Sequence, residues 1–139
     1  MKKGKHEKLE EIVTDVVEDG HGILSCVVTN ERGLIVTGQT TDGSSNDTLA
    51  AMVSLLSDSA TRVSENLGYG HPRTASVKNY GINIALHEFK VRDRWFRIGA
   101  VHEAKGLLDR GFFDKLFNRG SVEDNLTDAA AKIRSVLET

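Results

Sequence analysis

Residues Asp47 to Leu67 read DTLAAMVSLLSDSATRVSENL, and the assignment of this run decides the fold. Leu49, Met52, Val53, Leu56, Ala60, Val63 and Leu67 recur at helical spacing, which predicts one long helix carrying an apolar stripe. Ala50, Ala51, Ser54, Leu55, Ser57, Ser59 and Thr61 lie around that stripe. They are short or apolar, so the remaining surface has few charges and allows close approach. A small sheet covers one face of such a helix. The other face asks for a partner, and a second copy of the same helix is the simplest one. The chain therefore reads first as a dimerising scaffold.

Outward from this helix, the flanking segments alternate in kind. Leu9, Ile12, Val13, Val16 and Val17 follow helical spacing, so Lys5 to about Glu18 is a first helix, ended by Gly20 and Gly22. Ile23 to Thr29 and Leu34 to Thr37 are β-branched strands closed into a hairpin by Asn30-Glu31-Arg32-Gly33. Ser45, Asn46 and Asp47 supply N-caps for the central helix, and Gly68 and Gly70 stop it. Thr74 to Asn79, Ile82 to Phe89 and Arg94 to Val101 read as three further strands, joined at Tyr80-Gly81 and at a charged tip, Lys90 to Asp93. Ser121 with Asp124 resembles a capping box, and Val122, Leu126, Ala130, Ile133 and Leu137 give a closing helix its stripe. The expected architecture is α+β, a three-layer α/β/α sandwich on a five-stranded antiparallel meander split by one helix. In order it runs helix, two strands, helix, three strands, helix. Ile23, Leu24, Cys26, Val27 and Val28 are apolar on both alternating sides, which fits a sheet buried on both faces.

Composition narrows the functional classes. With 139 residues, 39% hydrophobic and 27% charged, and a single proline, the chain supplies one core and little linker, so 1–139 reads as one domain with residues 1–4 as a flexible tail. A formal net charge of −2 argues against general binding of nucleic acid or anionic membrane. The lone Cys26 excludes an intramolecular disulfide and reads as a small buried hydrophobe. No apolar run approaches the roughly 20 residues that span a bilayer, which predicts no membrane insertion and a cytoplasmic location.

The segment Gly22 to His102, with its GILSCVVTNERGLIVTG hairpin, its small-residue helix ending in ENLGYG and its GINIALHEF strand followed by WFRIGAVH, resembles the roadblock / dynein light chain family. The terminal helices extend the likeness over nearly the whole chain, and it rests on element order together with the glycine positions Gly33, Gly68 and Gly81. The resemblance implies a profilin-like fold with no catalytic signature. It further implies a homodimer or heterodimer with packed central helices and third strands continuing one sheet across a two-fold axis. On this chain the implied interface comprises Ala51, Leu55, Ser59 and Arg62 on the helix and Thr74, Ser76 and Lys78 on the strand. A role beside a small Ras-like GTPase, as activator, exchange-factor component or membrane platform, or as an adaptor for motor complexes, is also implied. The candidate contacts are Asp58, Arg62 and Glu65. The chain departs from the family in an insertion, 109–120, where Phe112, Phe113 and Phe117 cluster with Leu116. These aromatics either cover the sheet edge or form a docking patch.

Motifs that would carry chemistry fail on inspection, and no catalytic residue, metal or cofactor is expected. Gly33 to Thr40 imitates a phosphate-binding loop, but Gln39 stands where the lysine belongs and the glycines bracket a strand. His6, His21, His71, His87 and His102 are scattered, with no metal-ligand spacing among them. Arg73, Lys78, Lys90, Arg92, Arg94 and Arg97 surround Trp95, yet Glu88 and Asp93 dilute the field, so this cluster reads as a solvated hairpin that protects a strand edge. Two function classes remain: a non-catalytic dimeric regulator of a small GTPase, and a small-molecule-sensing profilin-like module. The second needs a cavity with inward polar groups, and the central helix offers no obvious polar anchor.

Overall fold

The computed structural model describes residues 3–18, 22–41, 43, 45–103 and 122–139. Their elements follow the expected order: α1 (Lys5–Glu18), β1 (Ile23–Asn30), β2 (Ile35–Thr40), α2 (Asn46–Asn66), β3 (Thr74–Lys78), β4 (Ile82–Val91), β5 (Arg94–Glu103) and α3 (Val122–Leu137). Helix α2 starts at Ser45, whose extended backbone and side-chain oxygen, accepting from the Thr48 amide, form the N-cap. At its other end the Tyr69 amide returns to the Ser64 carbonyl, and Gly68 takes φ +77°, a conformation that costs glycine nothing. Ser121, the expected partner in the α3 capping box, and the whole 109–120 insertion lie outside the described residues.

The sheet is antiparallel throughout, but it is not a continuous meander. Its order is β2-β1-β5-β4-β3. The first hairpin joins the three-strand unit through β1 and β5, pairing Cys26 with Ala100 and Val28 with Ile98, so β2 and β3 become the two edges. Strand β2 also runs to Thr40, so Gly38, Gln39 and Thr40 belong to the ladder with β1 and not to a loop. The β4–β5 turn is tighter than the expected tip. Val91 pairs with Arg94, leaving only Arg92 and Asp93 in the turn, with Arg92 at φ 56°.

Alternation along the strands divides the interior into two layers. Cys26, Val28, Ala85, Phe89, Ile98 and Ala100 meet α1 and α3 in the larger core, where Leu9, Val13, Leu126 and Ile133 are buried. Val27 and Leu86 point the other way and meet Leu49, Ala50 and Val53 of α2. Helix α2 approaches the sheet closely enough that a Cβ built on Gly99 would come within 2.3 Å of Val53 Cγ2. The sheet is therefore covered on both faces, as the apolar character of β1 predicts.

The face of α2 that meets the sheet keeps Leu49, Val53 and Leu56 of the expected stripe but is turned towards Ala50 and Ser57. Leu49, Ala50, Val53 and Ser57 are its buried residues, whereas Met52, Val63 and Leu67 of the expected stripe are exposed. Two apolar sets on one helix make the buried face ambiguous by spacing alone. The absence of a side chain at Gly99 makes room for Val53, and Ser57 goes inward to reach Glu88.

Candidate functional site

The outward face of α2 carries the feature that most needs explanation. Ala51, Met52, Leu55, Ser59, Arg62 and Val63 follow one another at helical spacing and are all exposed; Leu55 and Val63 are 60% and 61% accessible. Aliphatic side chains left in water on successive turns form a patch of the kind that marks an interaction surface. Asp58 and Glu65 are exposed as well. Among the described residues, strand β3 is a sheet edge paired with β4 alone, so its outer backbone groups have no ladder partner there. Thr74, Ser76 and Lys78 are exposed on this edge. Because strand side chains alternate, they face away from Ala75, which packs under α2. Val77 shares the Ala75 side, and its exposure together with that of Ile82, Leu67, Tyr69 and Tyr80 extends the apolar surface beyond the residues that spacing singles out. Phe112, Phe113 and Phe117 lie outside the described residues.

Beneath this surface lies a polar cluster that corrects two readings. Glu88 of β4 is fully buried at its side chain, and its Oε1 accepts from Ser57 Oγ of α2 at 3.1 Å and from Arg97 Nε of β5 at 3.4 Å. His71, in the α2–β3 connection, places Nε2 3.1 Å from the same oxygen, at ion-pair distance but without hydrogen-bond alignment. Its ring stacks on Trp95 at 3.7 Å and 17°, and Lys90 Nζ lies 5.5 Å from the Trp95 ring centre. Arg97 is thus not a solvated hairpin charge: it pairs directly across the ladder with Glu88 and is buried beside it. Helix α2 does have a polar anchor, Ser57. That anchor is engaged by a carboxylate of the protein itself. A Glu–x8–Arg spacing across a hairpin was the available signal, but it becomes a contact only when the turn is known to have two residues.

The remaining candidates separate. His87 pairs with Ile98 and His102 with Asn83, placing the two imidazoles well apart along the hairpin. Burial, with Arg73 as the second cause, lowers the His87 pKa below its ordinary 6.5. Burial pushes the Cys26 thiol up to about 12, which keeps it protonated and a poor nucleophile. Gly33 sits at φ +82° against Ser54 of α2, so the loop that imitates a phosphate cradle is a hairpin turn pressed on the helix. Among the described residues, no helix is long and apolar enough to cross a membrane.

No family model matches the sequence, and no curated protein matches it. Solved structures do share its fold. A Roadblock/LC7 domain from Streptomyces avermitilis superposes with a TM-score of 0.72 at 15% identity, over 94% of this chain and 98% of that one. Myxococcus xanthus MglB gives 0.71 at 11% identity, over 99% and 93%. An MglB in a tetrameric arrangement gives 0.61 at 13% identity, over 95% of each chain.

Proposed function

We propose, with the roadblock/LC7 fold of this chain as the premise, that it is a non-catalytic regulator or scaffold which self-associates through α2 and β3 and binds a small Ras-like GTPase. The observation that carries the reading is the exposed stripe of Met52, Leu55 and Val63 beside the open edge of β3. Pairing that surface across a two-fold axis buries the stripe and gives the β3 backbone a partner. A stable interface of ordinary size removes about 1,200–2,000 Å² from water. That one similar structure is an MglB in a tetrameric arrangement favours self-association in proteins of this shape. Asp58, Arg62 and Glu65, charged and exposed on the same helix, are the proposed contacts for the GTPase. Charges there set partner choice and association rate more than final affinity. A ligand-sensing role has less support, because the Gly99–Val53 contact leaves no gap where it lies between α2 and the sheet.

Sedimentation equilibrium at micromolar concentration tests the self-association. The wild type should run at twice the chain mass and Leu55→Glu at the monomer mass with its helical circular dichroism retained. A folded wild-type monomer would refute the interface. Capture of purified Ras-like GTPases, loaded with GDP or a GTP analogue, tests the partner: Glu65→Lys, outside the residues assigned to self-association, should weaken capture without changing the melting temperature or the sedimentation mass. A wild-type dimer that captures none of them in either nucleotide state would remove the GTPase role while leaving the dimer.

A further inference from the structure

Two hairpin turns meet at one end of the sheet, away from the β3 edge. Asn30 pairs with Phe96 and Val91 with Arg94, so the β1–β2 and β4–β5 turns lie side by side. The first is fixed by Asn30 Oδ1, which accepts from the amides of Arg32 at 2.9 Å and Leu34 at 3.0 Å. Between the first turn and the start of β5 is a cleft of about 320 Å³, lined by Leu34, Val36, Trp95 and Phe96, with Arg32 and Arg94 and the single carboxylate Glu31 also on its walls. Leu34, on the same turn, is 61% exposed, and Ile35 beside it is also exposed. Exposed charges on the two turns and the strand ends beside them are Arg32, Lys90, Arg92 and Arg94 against Glu31 and Asp93, while Glu138, whose carbonyl accepts from Arg92, is paired with Arg134. Cations thus outnumber carboxylates locally on a chain whose formal net charge is −2.

We propose that this cleft docks a linear segment of a partner protein in which several carboxylates flank one aliphatic or aromatic residue. The apolar residue enters between Val36 and Phe96 and covers Leu34. The carboxylates meet Arg32 and Arg94, whose planar guanidinium groups match a carboxylate with two parallel hydrogen bonds. A nucleic acid would find the same positive charge but not a stacking platform. His71 already covers the Trp95 ring at 3.7 Å, and Lys90 sits over it. The cleft lies at the hairpin turns and off the β3 edge, although the β1–β2 turn also rests on α2 where Gly33 meets Ser54.

Selection of random short peptides displayed on phage, with counter-selection on the Arg32→Glu/Arg94→Glu double variant, tests the site. Enriched peptides should combine acidic residues with an apolar anchor. By fluorescence anisotropy, a synthetic one should bind the wild type and lose about tenfold or more on the double variant. Leu34→Asp should weaken it as well, and replacing the peptide carboxylates by amides should abolish binding. These side chains are exposed, so melting temperature and sedimentation mass should stay at wild-type values. If the double variant is unstable, Arg94→Gln serves as the milder substitution. The site is refuted if no enriched peptide distinguishes wild type from variant, if the amide peptide binds equally well, or if a single-stranded oligonucleotide displaces the peptide in an Arg94-dependent way.

Discussion

Replacing Gly99 by alanine probes the distance between α2 and the sheet on which the whole outer layer depends. The new methyl would lie 2.3 Å from Val53 Cγ2, 3.3 Å from Cγ1 and 3.4 Å from Cβ. Carbon atoms pack at about 3.5–4.0 Å, so the helix or the strand must yield by roughly 1 Å. Val53 has no exposed surface, and as a β-branched residue in a helix it is confined largely to one rotamer, so it cannot turn aside. The helix must ride outward, loosening Leu49, Ala50, Val27 and Leu86 together. Overpacking of this kind costs about 1–3 kcal/mol. For a domain of this size that is roughly 4–12 °C in melting temperature. Val53→Ala alone should cost about 2 kcal/mol through the space it leaves. The double variant returns part of that space to the new methyl, so its loss should fall short of the sum of the singles by about 1 kcal/mol or more. Urea unfolding followed by circular dichroism at fixed protein concentration measures all three. Wild-type stability in Gly99→Ala, or simple additivity in the double variant, would refute the close contact.

The Glu88–Arg97 pair should behave as a unit. Glu88→Ala leaves a buried guanidinium beside His71 and should cost about 3–5 kcal/mol, whereas Glu88→Leu with Arg97→Met should cost much less, as thermal melts would show; equal losses would mean the pair is not buried in solution. His87 should make stability sensitive to acid. Its lowered pKa means that the folded state binds fewer protons than the unfolded one, so stability falls as pH drops below about 6.5 and on towards the folded value. Urea titrations at about pH 7.5 and pH 5 should therefore show a smaller acid loss in His87→Gln than in the wild type; identical losses would contradict the burial of the imidazole.

Local pattern determined the element order of this protein because each signal resides within a few residues. The α1 stripe, the Asn30-to-Gly33 turn, the Ser45 cap and the Gly68 stop are each built from residues close together along the chain. The resemblance to roadblock domains followed from that order, and the matching fold of solved structures agrees with it. Three features depended on tertiary structure. Strand order came from the β1–β5 pairing, since antiparallel strands joined by a long helix-containing segment can pair on either side. The inward face of α2 depended on the packing, because both faces of the helix carry apolar residues and the sheet receives Val53 over Gly99 and Ser57 over Glu88. Glu88 and Arg97, read from sequence as opposed surface charges, became a buried pair once the two-residue turn put them opposite one another beneath Ser57. A charge's burial depends on what is folded over it, and that information lies in residues distant along the chain.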